Sequence, residues 1–581
     1  MIKNKVSVIV GGEAGAGITR SGFLFAKTCQ RGGLHVFGAN DYQSLIRGGH
    51  NFYIARADAE KIYSQRDTID LLLALNKETI LLHKEKLVPG GGIIYDGEDI
   101  DVSAEELSRD DLKLYSVPLR SFVKKLNEEL IMRNTVTLGA AVALLDYDLK
   151  ILNDVIEDTF KPKVAESNIK AAKMGYDYAL EHYAGDFKYK LEKTGSAGKR
   201  NIFLTGNEAV GLGAIRAGCK FYVAYPMTPA TSLLHFMAPL DRDYDMIVIQ
   251  SESEIAAINM AAGASFAGVR AMTATSGGGF CLMSEGLGMT GMTETPVVIM
   301  LAQRPGPSTG LPTYSGQGDL RFAIHASQGE FPRVVIAPGD VEECFYKTME
   351  AFNLAEKFQI PVILITDKYL GESHGEAEPF DQNKIGIDRG LLLTDDEYTS
   401  EEEYKRHRFT EDGISPRAMP GMRGAIVRTN ADEHNEMGYT AEDPELATKM
   451  ADKRFKKLDV LVKHLENYET TNLYGPEEAD ATIVAWGSTK GPIREAMKLL
   501  SEEGVNINYL QIVFITPFPV AEVKRILESA KKTMVVENNK TSQLSSLIRE
   551  HLLMTVDHQI LKYDGRPFDP GDLSKRIKEV L

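Results

Sequence analysis

Three side chains that could act together on a small acid occur in one stretch of this chain. Thr228 stands between two prolines in the segment 225–229, Glu254 follows it, and Arg304 opens a loop rich in proline and glycine. A hydroxyl can donate a hydrogen bond, a carboxylate can hold a proton, and a guanidinium can bind a carboxylate through two charge-assisted hydrogen bonds. The set predicts a site for an acidic substrate whose reaction needs proton transfer.

Glu254 is the candidate for holding a proton. It follows the strand-like segment 247–249, begins a run of small and apolar residues, and lies nine residues before Gly263. Enzymes that use thiamine diphosphate need a carboxylate beside the aminopyrimidine ring, because a proton held there activates the coenzyme. Glu254 could be that carboxylate, or it could be an acidic residue that favours a helix start. We expect the neighbouring Glu252 to be structural.

Thr228 and Arg304 each have a second interpretation as well. The two prolines fix the backbone around Thr228, so its hydroxyl could face a ligand, or the residue could simply complete a turn. Arg304 follows the strand-like segment 297–301, and open α/β sheets bind ligands at the carboxyl ends of their strands. A surface arginine in a proline-rich loop is the alternative. The glycines at 277–279 would allow close approach to a ring or a phosphate, although such a run alone is a weak signal.

The beginning of the chain carries another candidate. Residues 6–17 read as a buried strand that turns through the glycine pattern GGxxGxG into a helix. This spacing matches neither a dinucleotide nor a triphosphate loop, so close packing of strand and helix and a coenzyme cradle both stay open. Arg47, Gly48 and Gly49 could contact an anion or could form a surface turn.

Alternation of strand-like and helix-like segments predicts an α/β protein with several doubly wound, parallel-sheet domains. A polar, lysine- and glycine-bearing stretch suggests an exposed linker, and a charged stretch with one helical part suggests an excursion. In that excursion we expect His434 to be a solvated loop histidine. The predicted parts are a first domain at 1–184, the linker at 185–200, a second domain at 201–375, the excursion at 376–470 and a third domain at 471–581.

Length, charge and cysteine content limit the function classes. A chain of 581 residues exceeds what one hydrophobic core serves. The formal net charge of −16 argues against nucleic acid or an anionic membrane as a partner. We expect a cytoplasmic protein, since no apolar run is long enough to span a bilayer. The 4 cysteines form no CxxC pair, which predicts buried thiols and no bound metal.

Taken together, these motifs resemble the 2-oxoacid:ferredoxin oxidoreductases. The likeness is to the large subunit in which a gamma-type domain is fused ahead of alpha-type domains, and it covers essentially the whole chain. The GGxxGxG start and the residues 47–49 look like the gamma part. The segments YPMTP at 225–229 and QRPGPSTGLPT at 303–313 look like the alpha part. Members usually read YPITP, so Met227 is a conservative departure that leaves Thr228 in place.

The resemblance implies a role for each candidate residue. Glu254 would protonate the aminopyrimidine, and Thr228 would contact the substrate or the cofactor. Arg304 would bind the carboxylate of a 2-oxoacid, with Thr313 and Tyr225 beside the substrate. The remaining candidates are glycines beside the cofactor and a possible contact to coenzyme A or another anion: Gly277 and Gly278, and Arg47, Gly48 and Gly49.

The resemblance also implies an active site shared with another polypeptide. A smaller beta subunit would bind the diphosphate of thiamine diphosphate, Mg²⁺ and a [4Fe-4S] cluster. This chain has no GDG motif and no cysteine set for those groups. The implied fold includes a pyrimidine-type domain of thiamine diphosphate enzymes and a transketolase C-terminal-like domain. The implied reaction converts a 2-oxoacid, with 2-oxoglutarate the first choice, to acyl-CoA and carbon dioxide in an (αβ)₂ assembly that reduces ferredoxin.

Two other functions stay open at this point. A non-oxidative thiamine decarboxylase subunit would release carbon dioxide without reducing an acceptor. A catalytically silent, coenzyme-binding scaffold would keep only the α/β shape. The presence of Thr228, Glu254 and Arg304 together favours an enzyme subunit.

Overall fold

The computed structural model describes residues 1–42, 49–198, 201–394, 398 and 403–581. Contacts among these residues divide the chain into two compact units. Among the described residues, no helix is long and apolar enough to cross a membrane. Unit 1 comprises Met1–Leu204, Ser373–Pro379 and Asp569–Gly571, and unit 2 comprises Thr205–Glu372, Phe380–Phe568 and Asp572–Leu581.

Helices and strands are numbered in chain order. The first group is β1 Ile2–Lys3, β2 Lys5–Glu13, α1 Ile18–Arg31, β3 His35–Tyr42, β4 His50–Asp58, β5 Ile69–Ala74, α2 Lys77–His83, β6 Leu87–Asp96, α3 Ala104–Leu107, β7 Lys113–Val117, α4 Leu119–Leu126, α5 Arg133–Leu144, α6 Leu149–Thr159, α7 Pro162–Tyr183, β8 Tyr189–Lys190 and β9 Ile202–Thr205. The second group is α8 Gly206–Arg216, β10 Cys219–Ala224, α9 Thr231–Met237, β11 Ile247–Gln250, α10 Glu254–Phe266, β12 Arg270–Thr275, α11 Gly277–Met292, β13 Val297–Gln303, α12 Leu320–His325, β14 Val334–Ile336, α13 Val341–Phe358, β15 Pro361–Asp367, α14 Lys368–Glu372 and β16 His374–Ala377. The third group is α15 Pro444–Leu465, β17 Thr471–Tyr474, β18 Ala481–Trp486, α16 Lys490–Glu502, β19 Ile507–Ile512, β20 Phe514–Thr516, α17 Val520–Ser529, β21 Thr533–Glu537, α18 Gln543–Leu552, β22 His558–Leu561 and α19 Pro570–Val580.

Unit 1 is built on a mixed sheet with the strand order β7-β6-β5-β2-β4-β3-β16-β9. Strands β2, β5, β6 and β7 are parallel, as the sequence predicted. Strands β3 and β4 instead pair antiparallel with each other, and β4 pairs antiparallel with β2. The link between β3 and β4 is too short for a helical crossover, and antiparallel pairing is the arrangement that a short link permits.

Strands β9 and β16 show how later parts of the chain join unit 1. Both lie in its sheet, although they follow the segment predicted as a linker. Within that segment β8 pairs with β1 in parallel. In β16, Glu376 lies 2.7 Å from the His35 ring and accepts a hydrogen bond from the Asn201 amide at 2.8 Å. These pairings were not anticipated from the sequence, and the domain boundaries themselves stay predictions.

Unit 2 holds a sheet with the order β11-β10-β12-β13-β15-β14-β20. Its strands are parallel except β20, which pairs antiparallel with β14. Strand β13 is fully buried along its length, as expected of a parallel strand covered by helices on both faces. A second sheet has the order β17-β19-β18-β21-β22 and is parallel apart from β17. The predicted fold class, α/β with several parallel-dominated sheets, is confirmed.

A buried ion cluster joins helix α15 to the link between α11 and β13. Glu294 accepts hydrogen bonds from the Lys453 ammonium at 2.7 and 2.8 Å and also pairs with Lys457. Its other neighbour is the His407 ring, at 3.0 Å. Burial by itself raises the pKa of Glu294, but the charges of Lys457 and Lys453 outweigh it and hold that pKa well below its usual range. The single carboxylate therefore keeps two buried ammonium groups in place.

His434 is a correction to the sequence analysis. It is fully buried, with its ring centroid 4.0 Å from that of His407, so the expectation of a solvated loop histidine is wrong. The acidic stretch around it suggested exposure. Arg454 on α15 pairs with the adjacent Glu433 at 2.6 Å and neutralises that stretch at the protein surface.

Replacing Glu294 with glutamine is expected to destabilise the protein by about 3–5 kcal/mol, because two buried ammonium groups lose their counter-charge. Chemical unfolding of the purified chain measures this free energy. Glu285→Gln is the matched control, since Glu285 is exposed on the preceding helix α11. Equal stability of the two variants would contradict the role assigned to Glu294.

Candidate active site

The sequence-predicted catalytic residues gather at one edge of the unit 2 sheet. Neighbouring strands β11, β10, β12 and β13 all run in the same direction. Thr228 follows the carboxyl end of β10, Glu254 follows β11, Gly277 follows β12 and Arg304 follows β13. This is the edge at which open parallel sheets bind their ligands.

Arg304 and the turn that carries Thr228 are joined directly. The Arg304 guanidinium donates a hydrogen bond to the backbone carbonyl of Thr228 at 2.8 Å. Behind the turn, the fully buried Asn207 donates to the carbonyl of Pro229 at 2.9 Å and to the Ser232 hydroxyl at 2.7 Å. Hydrogen bonds therefore hold Arg304 and the turn that carries Thr228 together.

Glu254 is a buried carboxylate with an unsatisfied oxygen. Its side chain is 3% exposed, and its Oε1 has no hydrogen-bond partner among the described residues. The helix start is capped by Ser253, whose hydroxyl accepts from the backbone N–H of Ala256 at 3.2 Å, so Glu254 is not needed as the cap. A buried, unpaired acceptor is costly unless a ligand supplies a donor. A protonated ring nitrogen of an aminopyrimidine is such a donor, so the residue fits thiamine diphosphate.

Gly279 makes room for that carboxylate. A Cβ added at Gly279 would lie 2.5 Å from the Glu254 Oε1 and 2.0 Å from the Thr275 Oγ1. Gly277 is half-buried and Gly278 is exposed, with nothing within 4 Å of an added Cβ at Gly278. The expected cofactor contact of Gly277 and Gly278 stays a prediction, while the close approach to Glu254 belongs to Gly279.

The other predicted candidates lie in different surroundings. Thr313 is buried in the loop after β13, whereas Tyr225 is exposed at the end of β10. In unit 1, Gly49 has a left-handed φ of 87°, a conformation that favours glycine. Arg47 and Gly48 lie outside the described residues. The roles predicted for all five stay predictions.

The loop that carries Arg304 and Thr313 is held by the second sheet of unit 2. Gln317, near the end of this loop, donates from its backbone N–H to the carbonyl of Asn538 at 2.8 Å, and its Oε1 accepts from the Asn538 N–H at 2.9 Å. Its amide also donates to the carbonyl of Trp486 at 2.9 Å. These bonds are fully buried and fix the far end of the loop.

Two further polar residues flank Arg304. The side-chain oxygen of Gln303 accepts from the backbone N–H of Asp319 at 2.9 Å, and its amide donates to the carbonyl of Thr366 at 3.0 Å. Burial lowers the pKa of the Arg304 guanidinium, and the charge of Asp319 opposes this. Burial raises the pKa of the Asp319 carboxyl to about 6, and the charge of Arg304 opposes that change.

The four cysteines differ in their exposure. Cys29, Cys219 and Cys344 are buried, as the sequence suggested, whereas Cys281 on α11 is exposed. Within the described ranges, no group of three or more His, Cys, Asp or Glu side chains is placed to hold a metal ion.

Comparison with known proteins identifies the family. Residues 212–453 match the family described as pyruvate flavodoxin/ferredoxin oxidoreductase, thiamine diphosphate-binding. Residues 7–178 match pyruvate ferredoxin/flavodoxin oxidoreductase, and residues 479–573 match pyruvate:ferredoxin oxidoreductase core domain II. The chain is 33% identical to the alpha subunit of 2-oxoacid:ferredoxin oxidoreductase 2 from Aeropyrum pernix, covering 99% of this chain and 98% of that protein. This chain belongs to the 2-oxoacid:ferredoxin oxidoreductase alpha subunits.

Two further relatives of this alpha subunit have 2-oxoglutarate in their names. A solved structure of 2-oxoglutarate:ferredoxin oxidoreductase from Magnetococcus marinus, with 2-oxoglutarate, coenzyme A and succinyl-CoA bound, is 35% identical. It covers 99% of each chain with a TM-score of 0.90. The KorA subunit of 2-oxoglutarate synthase from Methanothermobacter thermautotrophicus is 36% identical over 65% of this chain and 98% of that protein. The enzyme class predicted from the sequence is confirmed.

Several residues that support the candidate site of this alpha subunit were not predicted from the sequence. Gln317 lies between Gly316 and Gly318, and Asp319 follows Gly318. Two residues separate this segment from the end of the QRPGPSTGLPT motif. Polar residues among glycines at the end of the loop that carries Arg304 could have been recognised from the sequence as candidates. Asn207 and Gly279 gave no comparable signal, because their importance comes from contacts with parts of the chain distant in sequence.

Gly279→Ala is expected to destabilise the alpha subunit by about 1–3 kcal/mol, because the added methyl group has no room beside Glu254. Gly278→Ala lies one residue away on the same helix, where an added Cβ meets nothing within 4 Å. It should instead be neutral or stabilising by up to about 1 kcal/mol through helix propensity. Thermal unfolding of the two purified variants measures the difference, and equal transition temperatures would contradict the packing described for Glu254.

Proposed function

We propose that this alpha subunit supplies the pyrimidine-facing and carboxylate-binding half of a thiamine diphosphate active site. The reaction is the oxidative decarboxylation of a 2-oxoacid to acyl-CoA and carbon dioxide, with electrons passed to ferredoxin. The observation that carries the proposal is the buried, unpartnered Oε1 of Glu254, at the same sheet edge as Arg304.

Each side chain has a distinct task in this proposal. Glu254 holds a proton at the aminopyrimidine ring, in a buried position where an ionic hydrogen bond is strong. Arg304 binds the substrate carboxylate, since a guanidinium forms two parallel hydrogen bonds with it. Thr228 lies in the turn joined to Arg304 and presents its hydroxyl to substrate or cofactor. Thiamine diphosphate, when bound, supplies the electron sink that decarboxylation of a 2-oxoacid requires.

Support for 2-oxoglutarate as the substrate comes from the relatives. The Magnetococcus marinus enzyme carries 2-oxoglutarate and coenzyme A and matches this chain over nearly its whole length. Thr313, buried nine positions beyond Arg304, is the side chain proposed to shape the substrate pocket, and the exposed Tyr225 is proposed as a further substrate contact. Coenzyme A is the proposed acyl acceptor. Its possible contact with Arg47, Gly48 and Gly49 stays a prediction.

Exposed apolar side chains on two packed helices support a partner subunit. Ile255 and Met260 on α10 and Leu282 on α11 are 54%, 36% and 50% exposed. Large apolar side chains left exposed in this way offer surface that a partner chain would cover. The proposed partner is a smaller beta subunit that supplies the diphosphate contacts, Mg²⁺ and a [4Fe-4S] cluster, in an (αβ)₂ assembly. A cytoplasmic location also stays a prediction.

Glu254→Gln is expected to lower turnover by about a hundredfold or more, because the amide cannot hold the proton that Glu254 provides. The measurement is 2-oxoglutarate-dependent reduction of ferredoxin by the alpha subunit combined with its beta subunit and coenzyme A. Pyruvate replaces 2-oxoglutarate in a parallel assay to test substrate choice. Release of carbon dioxide without reduced ferredoxin would indicate non-oxidative decarboxylation instead.

Glu252→Gln is the matched control for this test. Glu252 is exposed and lies two residues before Glu254. Each of the two variants therefore loses one carboxyl group in the same segment of the chain. The control should keep turnover within about twofold, as surface substitutions usually do. Equal activity of both variants at the wild-type level would contradict the role of Glu254, and a catalytically silent scaffold would show no turnover even before mutation.

A further inference from the structure

Asp319 is a charged neighbour of Arg304 that the proposed reaction does not yet use. Its carboxylate faces the first turn of α11, where an added Cβ at Gly277 would lie 2.5 Å from its Oδ2. Its backbone N–H is held by the side chain of Gln303, the residue that precedes Arg304. The backbone of Asp319 is therefore tied to the residue that precedes Arg304 in the same loop.

Among the residues that the structure describes, the Asp319 carboxylate has no direct partner. Within the described part of the chain, neither of its oxygens is joined to a donor by a hydrogen bond or an ion pair, and Arg304 donates instead to the carbonyl of Thr228. The two side chains still lie within electrostatic reach, since each charge favours the ionised form of the other. Arg304 thus has a nearby negative charge that does not occupy its hydrogen-bonding groups.

We propose that Asp319 is a positioning residue that sets how strongly Arg304 binds the substrate carboxylate. This inference rests on the proposed role of Arg304. When Asp319 is ionised, an incoming carboxylate meets a second negative charge beside the guanidinium. When Asp319 is neutral, the full positive charge is available to the substrate. Binding of a 2-oxoacid is therefore linked to uptake of a proton by the Asp319 carboxyl.

The surroundings of Asp319 allow this proton uptake. Asp319 lines a cleft of about 480 Å³ whose wall includes Pro305, Gly306, Ser315 and Gly318. Water in this cleft can exchange protons with the carboxyl. Burial raises the pKa of Asp319 to about 6, which places its change of charge just below neutral pH.

Other charged groups around Asp319 do not produce the same pH dependence. Helix α11 presents Cys281, whose pKa is raised by burial and by the charge of Asp319, so it stays a neutral thiol near neutral pH. The turn after β21 contributes Lys540 to the same cleft. Helix α12, which follows Asp319, carries Arg321, which pairs with Glu550 at 2.8 Å. Lysine and arginine side chains in general keep their charge between about pH 5 and 8.

The test compares wild type, Asp319→Asn and Arg304→Ala in the alpha–beta complex between about pH 5.5 and 7.5, the range that brackets this carboxyl. The probe is N-oxalylglycine, an unreactive isostere of 2-oxoglutarate, and its Kd is measured by calorimetry alongside KM and kcat for 2-oxoglutarate. Asp459→Asn, on the exposed face of α15, is the matched control for the loss of one negative charge.

Wild type should bind N-oxalylglycine about tenfold more weakly at the upper pH than at the lower, as expected for a charge that develops close to the guanidinium. Asp319→Asn should bind with the tight, low-pH affinity throughout, with kcat within about twofold of wild type. The control should keep the wild-type pH dependence. Proton uptake on binding, measured in buffers of different ionisation enthalpy, should be lost in Asp319→Asn.

The variants separate failure of this inference from failure of the proposed function. If Arg304→Ala weakens N-oxalylglycine binding while Asp319→Asn retains the wild-type pH dependence, Asp319 has no such role. If Arg304→Ala binds as wild type does, the role proposed for Arg304 itself fails. A structural role for Asp319 would lower the unfolding temperature of Asp319→Asn without changing the pH profile, and this result would also overturn the inference.

Discussion

The burial of one carboxylate oxygen without a partner among the described residues is the constraint on which the candidate site depends. Glu254 begins α10 beneath the first turn of α11, and Gly279 leaves the space that its Oε1 occupies. Ser253 already caps the helix, so the carboxylate is free of that task. A protein keeps an unsatisfied buried acceptor at a cost in stability, and such groups concentrate where a ligand completes the hydrogen bonding. The other candidate residues follow neighbouring strands at the same edge of the sheet.

Two supports hold the other ligand-binding groups at the same edge of the sheet. Asn207 braces the turn that contains Thr228, and Arg304 bonds to the carbonyl of Thr228. Gln317 joins the opposite end of the Arg304 loop to Asn538, which follows β21 of the second sheet. The C-terminal part of unit 2 therefore holds one end of the loop that carries Arg304. Rigid support of this kind is what allows a binding site to discriminate among ligands of similar charge.

Much of the fold could be predicted from the sequence, and so could the grouping of the candidate site residues at one sheet edge. Apolar runs such as 297–301 are long enough and regular enough to specify buried parallel strands, and the residues that follow them fall at one sheet edge. Thr228, Glu254 and Arg304 became candidates because motif and strand end coincide, and their roles stay predictions. Antiparallel pairing of β3 and β4 was missed because the alternation pattern does not report strand direction.

Other features could not be predicted because they depend on contacts between distant segments. His434 lies in an acidic stretch that suggests exposure, yet it is buried beside His407. Asp319 looks like an ordinary loop residue until its place beside Arg304 and Gly277 is known. Strands β9 and β16 join the sheet of unit 1 although they lie far apart in sequence. The local sequence pattern determines which helices and strands form, whereas these contacts depend on how the helices and strands pack together.

By our proposal the alpha subunit holds only part of a thiamine diphosphate site. Calorimetric titration of thiamine diphosphate and Mg²⁺ into the purified alpha subunit, the purified beta subunit and their complex measures whether the site is shared. We expect tight binding by the complex and at least about a hundredfold weaker binding by the alpha subunit alone, since the diphosphate contacts are missing. Tight binding by the alpha subunit alone, together with turnover of a 2-oxoacid, would rule out a shared site.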